Sequence, residues 1–129
     1  MDVNFTKVKN YLLDLECTIL SEDEKTGIFK ISKEEEGIVN MLVVCADPIV
    51  ILEQSLFKVK NESLALYKEL LQKNRDIIHG AFALNENGEI IFRDTLQIEN
   101  LDLNEIEGSI NSLTILLSEY SDKIVEFSK

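Results

Sequence analysis

Residues 70–96 read LLQKNRDIIHGAFALNENGEIIFRDTL, the punctuation of a helix end followed by a hairpin. Gly80 ends the helix, because a residue without Cβ enters the left-handed region at little cost. AFAL then runs extended, and NENG supplies a tight turn in which Asn87 and Gly88 are expected to take positive φ. EIIFRDTLQI returns as the partner strand. Ile90, Phe92, Leu96 and Ile98 share one face of it by two-residue alternation, and Asp94 interrupts that face. A carboxylate in such a place lies near an edge, is paired with a donor, or is protonated.

Working outward, the helix that ends at this hairpin is expected from Asn61, a good N-cap, to about Ile78. At about 100° per residue its apolar positions Leu64, Leu66, Tyr67, Leu70, Leu71, Ile77 and Ile78 cover an arc of roughly 160°. Leu66, Leu70 and Ile77 lie toward one edge of the arc and Leu64, Leu71 and Ile78 toward the other. Such a helix serves either a sheet and a second subunit together or the deep core of a monomer. On the far side of the hairpin, Asp102 with Glu105 three residues later resembles a capping box and opens a helix to about Phe127. Ile106, Ile110, Leu113, Leu117, Tyr120, Ile124 and Phe127 mark its narrow apolar stripe.

Before residue 61 the chain reads as one helix and a set of strands. Val8, Tyr11, Leu12 and Leu15 recur at helical spacing over residues 4–15. CTILSED, GIFKISK and GIVNMLVVCAD follow, separated by charged turns. In GIFKISK, Phe29 and Ile31 oppose Ile28, Lys30 and Ser32, so this strand is expected to have one wet face. MLVVCA lacks alternation and is expected to be covered on both faces. Asp47-Pro48 breaks it, and PIVILEQSLFKV can resume as another strand. The expected fold class is α+β: a single domain over residues 1–129, with an antiparallel sheet of five or six strands and three helices in the order α-β-β-β(-β)-α-β-β-α.

The chain has 129 residues, enough for one sizeable core and too few for two ordinary domains. Its 24 acidic and 13 basic residues give a net charge of −11, which repels polyphosphate, so nucleic acid is not expected as a partner. The acidity keeps a domain soluble and favours a basic or amphipathic protein partner. The N-terminal residues interleave charges with apolar positions, so neither a signal peptide nor membrane insertion is expected, and the location is read as cytoplasmic.

No catalytic, cofactor-binding or metal site is expected. Cys17 and Cys45 lack CxxC spacing, and His79, the single histidine, has no Cys or carboxylate partners at ligand spacing. No Walker-type or GxGxxG phosphate cradle is present. Asp76, His79 and Asp94 are the residues a small enzyme would use, but no nucleophile motif accompanies them.

LLQKN, Leu70 to Asn74, looks like the LLxxN signature of the type III secretion chaperone fold and its Tir-chaperone-like and YbjN-like relatives. GAFALNENGEIIF resembles the hairpin of that family, LDLNEIEGSINSL the start of its final helix, and MLVVCAD its acidic-ended strand. The resemblance covers nearly the whole chain. It implies a small acidic homodimer without catalysis that pairs largely through its second helix and adjoining strands and holds an extended or amphipathic segment of a client protein. Leu64, Tyr67, Leu71 and Ile78 are then the expected dimer contacts, and Val8, Leu12, Phe29 and Ile31 the expected partner contacts. A dimeric regulatory or adaptor domain of the same fold, with no secretion client, is the alternative, and a small enzyme the third reading.

Overall fold

The computed structural model describes residues 2–129. Helix α1 (Val3–Asp14) leads into β1 (Thr18–Asp23), β2 (Ile28–Lys33), a 3-10 turn over Glu34–Glu36, β3 (Ile38–Ala46) and β4 (Ile49–Lys58). Helix α2 (Leu64–Asn74), the hairpin of β5 (Ala81–Leu84) and β6 (Glu89–Gln97), and α3 (Leu103–Phe127) complete the chain. The expected α+β class and element order are therefore observed, with six strands.

The strands form one antiparallel sheet in the order β1-β2-β3-β4-β6-β5. The chain leaves β4 through α2, places β5 at the edge and returns as β6 between them. The sequence of β6 explains this choice. Ile90, Ile91 and Phe92 are all buried, and consecutive apolar residues point to opposite faces, so the strand belongs inside a sheet. Four-residue β5 is the shorter edge.

All three helices contribute to one core on one face of the sheet. Val8 and Leu12 of α1, Leu66 and Leu70 of α2, and Ile106, Ile110 and Leu113 of α3 pack with Phe29, Ile31, Met41, Val43, Leu52 and Phe92 of the strands. Phe5 stacks on Phe29 with ring centroids 4.2 Å apart. Residues of opposite parity, including Leu42, Val44 and Ile51, are only half-buried and lie outside this cluster. MLVVCA is thus central in the sheet but covered on one face only, contrary to expectation. An unbroken apolar run records that both faces are apolar, not that both are covered.

Helix α2 also departs from its expected bounds. Ser63, not Asn61, is the N-cap, accepting from the Leu66 N–H at 3.1 Å, whereas Asn61 donates to the Lys129 carbonyl at 2.9 Å. The helix ends at Asn74, four residues before Ile78, because Arg75–Ile77 turn back on Gln72–Asn74. In the hairpin only Gly88 takes positive φ, at 76°; Asn87 does not. Asn85 organises the turn instead, its Oδ1 accepting from the Asn87 and Glu89 N–H groups at 3.0 and 2.9 Å. At the start of the hairpin Gly80 is required on two counts: its φ is +84°, and a Cβ there would meet the Phe92 ring. Helix α3 starts as expected, with the Asp102 side chain accepting from the Glu105 N–H at 3.1 Å. Among the described residues, no helix is long and apolar enough to cross a membrane.

Candidate functional site: one open sheet edge and one exposed helix stripe

A sheet that does not close has two edges, and this chain treats them differently. At β5, the N–H and C=O of Phe82 point away from β6 and are both taken by Asn74. Its Oδ1 accepts from the Phe82 N–H at 2.8 Å and its Nδ2 donates to the Phe82 carbonyl at 3.1 Å. A primary amide here occupies the place of a neighbouring strand's peptide group, which blocks the edge at Phe82. The asparagine that ends LLQKN is thus tied to the strand eight residues later.

The β1 edge is open. Among the described residues, no hydrogen bond outside its ladder with β2 engages the backbone of Thr18–Glu22. A bulge between Ile19 and Ser21 turns Leu20 outward, leaving it about half exposed. Beside the edge lies a groove of about 420 Å³ lined by the apolar Leu20 and Val39 and by polar and charged residues that include Glu16, Glu34 and Glu35. Lys33, also in the groove, is already engaged, donating to the Leu15 carbonyl at 2.8 Å and pairing with Glu36 at 3.2 Å. Residues 16–36 hold seven acidic and three basic residues, so this end of the sheet is strongly negative.

A second apolar surface runs along α2. Leu66 and Leu70 enter the core, whereas Leu64, Leu71 and Ile78 are 75%, 70% and 90% exposed, and Tyr67 is half-buried between the two sets. The arc therefore divides as its two edges implied. Glu69 of α2 accepts from the Tyr120 O–H at 3.3 Å and pairs with Lys123 at 3.5 Å, while Lys73 pairs with Glu119 at 3.5 Å, so α2 is held on α3 by balanced charges.

The residues expected to contact a partner are placed differently. Val8, Leu12, Phe29 and Ile31 are fully buried. Alternation and helical spacing identified apolar positions correctly, but these four face the core and offer no surface to a partner. Leu20 and Val39, beside the open edge, were not singled out from the sequence. Leu20 lies at the β1 bulge, and Val39 precedes Asn40, whose φ is +52°. The adjacent apolar pair Ile19-Leu20 was the one available signal.

Of the residues of the enzymatic alternative, Asp76 and His79 line one cleft against α3, and Asp94 is not part of that lining. Asp94 is paired with a donor, accepting from the buried Ser109 hydroxyl of α3 and from the Thr95 N–H at 3.0 Å. Asp76 and His79 lie beyond the end of α2 rather than on it, and Asp76 is near Arg75 at 3.9 Å. The His79 carbonyl accepts from Ser112 at 2.6 Å, a structural contact with α3. Among the described residues, no group of three or more His, Cys, Asp or Glu side chains is arranged to hold a metal ion.

Residues 1–129 match the CesT_Tir_1 family profile throughout. The chain belongs to the CesT_Tir_1 family. A chain of the HopA1-SchA chaperone-effector complex superposes with a TM-score of 0.69 at 12% identity, over 95% of this chain and 98% of that one. YbjN from E. coli gives 0.70 at 11% identity, over 92% and 91%. SycH, the Yersinia pestis type III secretion chaperone solved with a fragment of YscM2, gives 0.63 at 15% identity, over 98% and 100%. At these identities the superpositions establish the fold that this CesT_Tir_1 member shares with secretion chaperones and YbjN. No curated protein sequence matches the chain.

Proposed function

We propose that this CesT_Tir_1 protein is a non-catalytic, cytoplasmic client-holding module that binds an extended segment of another protein at the β1 edge. The open backbone of Thr18–Glu22, beside a groove in which Leu20 and Val39 lie among three glutamates, carries this reading. An added strand gains main-chain hydrogen bonds along β1, while Leu20 and Val39 receive its apolar side chains. The carboxylates of Glu16, Glu34 and Glu35 favour a basic segment. The chaperone-effector and chaperone-fragment pairings of the structural neighbours support a protein client.

The module acts as a homodimer whose copies meet through the α2 stripe of Leu64, Tyr67, Leu71 and Ile78. Four large apolar residues, three on α2 and Ile78 just past its end, are costly to leave in water, at about 25 cal/mol per Å² of apolar surface. The test of function is affinity capture from the source cell with the wild-type chain and with Leu20→Asp. The wild type should retain a client through a segment that is extended in the complex, and Leu20→Asp should lose it while keeping its fold. Retention of a folded domain instead, undiminished by Leu20→Asp, would favour a dimeric adaptor of the YbjN-like kind.

A further inference from the structure

The α2 stripe continues past the end of the helix into a cleft of about 300 Å³ against α3. Ile77, Ile78, Ile115 and Leu116 supply its apolar lining, with the His79 ring beside Gly108 at its end. Ile115 is 57% exposed, and among the described residues the cleft is lined only by α2, the segment that follows it and α3.

Charge decides which partner fits here. Each copy carries a net charge of −11, so two copies repel unless they meet where the charge is balanced. Residues 60–80 together with 108–119 hold four basic and four acidic residues, and Lys73 and Glu119 pair across the cleft. The neutral surface is also the one with the most exposed apolar side chains. A basic segment gains nothing from it, in contrast to the acidic β1 edge. The surface is self-complementary as well: Ile78 protrudes at the rim of an apolar hole, so a two-fold axis places each protrusion against the other copy's hole.

We propose that a second copy of the chain completes this cleft by seating its Ile78 against Ile115 and Leu116, so that the self-association face includes α3 and does not end at α2. The proposal rests on the dimer reading above and goes beyond it by assigning α3 residues to the contact.

Sedimentation equilibrium on the full chain, with the wild type, Leu71→Glu, Ile115→Glu and Ile115→Ser, separates the two. Val125→Glu is the control, an equally exposed apolar position elsewhere on α3. All three substituted positions are exposed in the single chain, and circular dichroism verifies that each variant keeps its fold. The wild type and Val125→Glu should sediment as dimers. Ile115→Glu should raise the dimer dissociation constant at least about 100-fold, since burying an unpaired carboxylate is strongly unfavourable, and Ile115→Ser should raise it by a smaller factor. If Leu71→Glu dissociates the dimer while both Ile115 variants dimerise like the wild type, the cleft proposal fails and the α2 reading stands. A wild type that remains monomeric at about fifty times micromolar concentration, where weak dimers form, overturns both.

Discussion

Replacing Asn74 by alanine removes two hydrogen bonds and leaves both backbone polar groups of Phe82 without that partner. The expected loss is about 1–3 kcal/mol by denaturant titration, with faster amide exchange at Phe82. Ser109→Ala tests the other polar contact beneath the sheet. It deprives half-buried Asp94 of its α3 donor and should cost a similar amount, about 1–3 kcal/mol. In the hairpin, hydrogen bonds from Asn85 and Ser55 hold the Glu89 carboxyl below the usual glutamate value. A lowered folded value means that this contribution is complete above the unfolded value of about 4.3 and is lost as pH falls through the folded one. Asn85→Ala should therefore move the Glu89 titration upward in carboxyl-resolved NMR. Cys45 has the opposite sign, its thiol pushed up to about 11 by burial and, to a lesser extent, by Asp2. Its contribution is complete below an unfolded value of about 8.5 and fades as pH rises toward the folded one, so aromatic disulfide reagents should label it slowly at about pH 8.

Among the elements, α3 was readable nearly in full because cap and stripe agree: Asp102 accepts from the Glu105 N–H, and Ile106, Ile110 and Leu113 are buried. Helix α2 was read too long at both ends. Asn61 and Ser63 are both acceptable caps by residue type, and which one accepts from the helix is decided by the path of the chain out of β4. Ser63→Ala should thus cost about 1 kcal/mol through α2, and Asn61→Ala should leave the helix intact. At the other end, apolar Ile77 and Ile78 continued a helical pattern, but the turn that brings Phe82 to Asn74 stops the helix first. The same limit hid the site. Alternation gives the parity of a strand residue, as it did for Phe29 and Ile31, but not whether a helix covers that parity. The exposure of Leu20 follows from a bulge, which residue types alone do not reveal.

Across the whole molecule, charge and apolar exposure together sort the surface into two. In the proposed dimer the copies meet at the α2–α3 seam, where the charges balance, so its dissociation constant should change little with salt. On the proposed reading the seven acidic residues of positions 16–36 around β1 steer a basic segment, so salt should slow client association more than it hastens release. Stopped-flow association rates at low and high ionic strength test that difference. The central claim, that the β1 edge is open to a client while Asn74 blocks the β5 edge at Phe82, is tested most directly by amide hydrogen exchange of the captured complex against the free chain. The account predicts new protection at β1, over Thr18–Glu22, with exchange at Phe82 of β5 unchanged. Protection that appears at β5, or a bound client that protects no β1 amide, would contradict it.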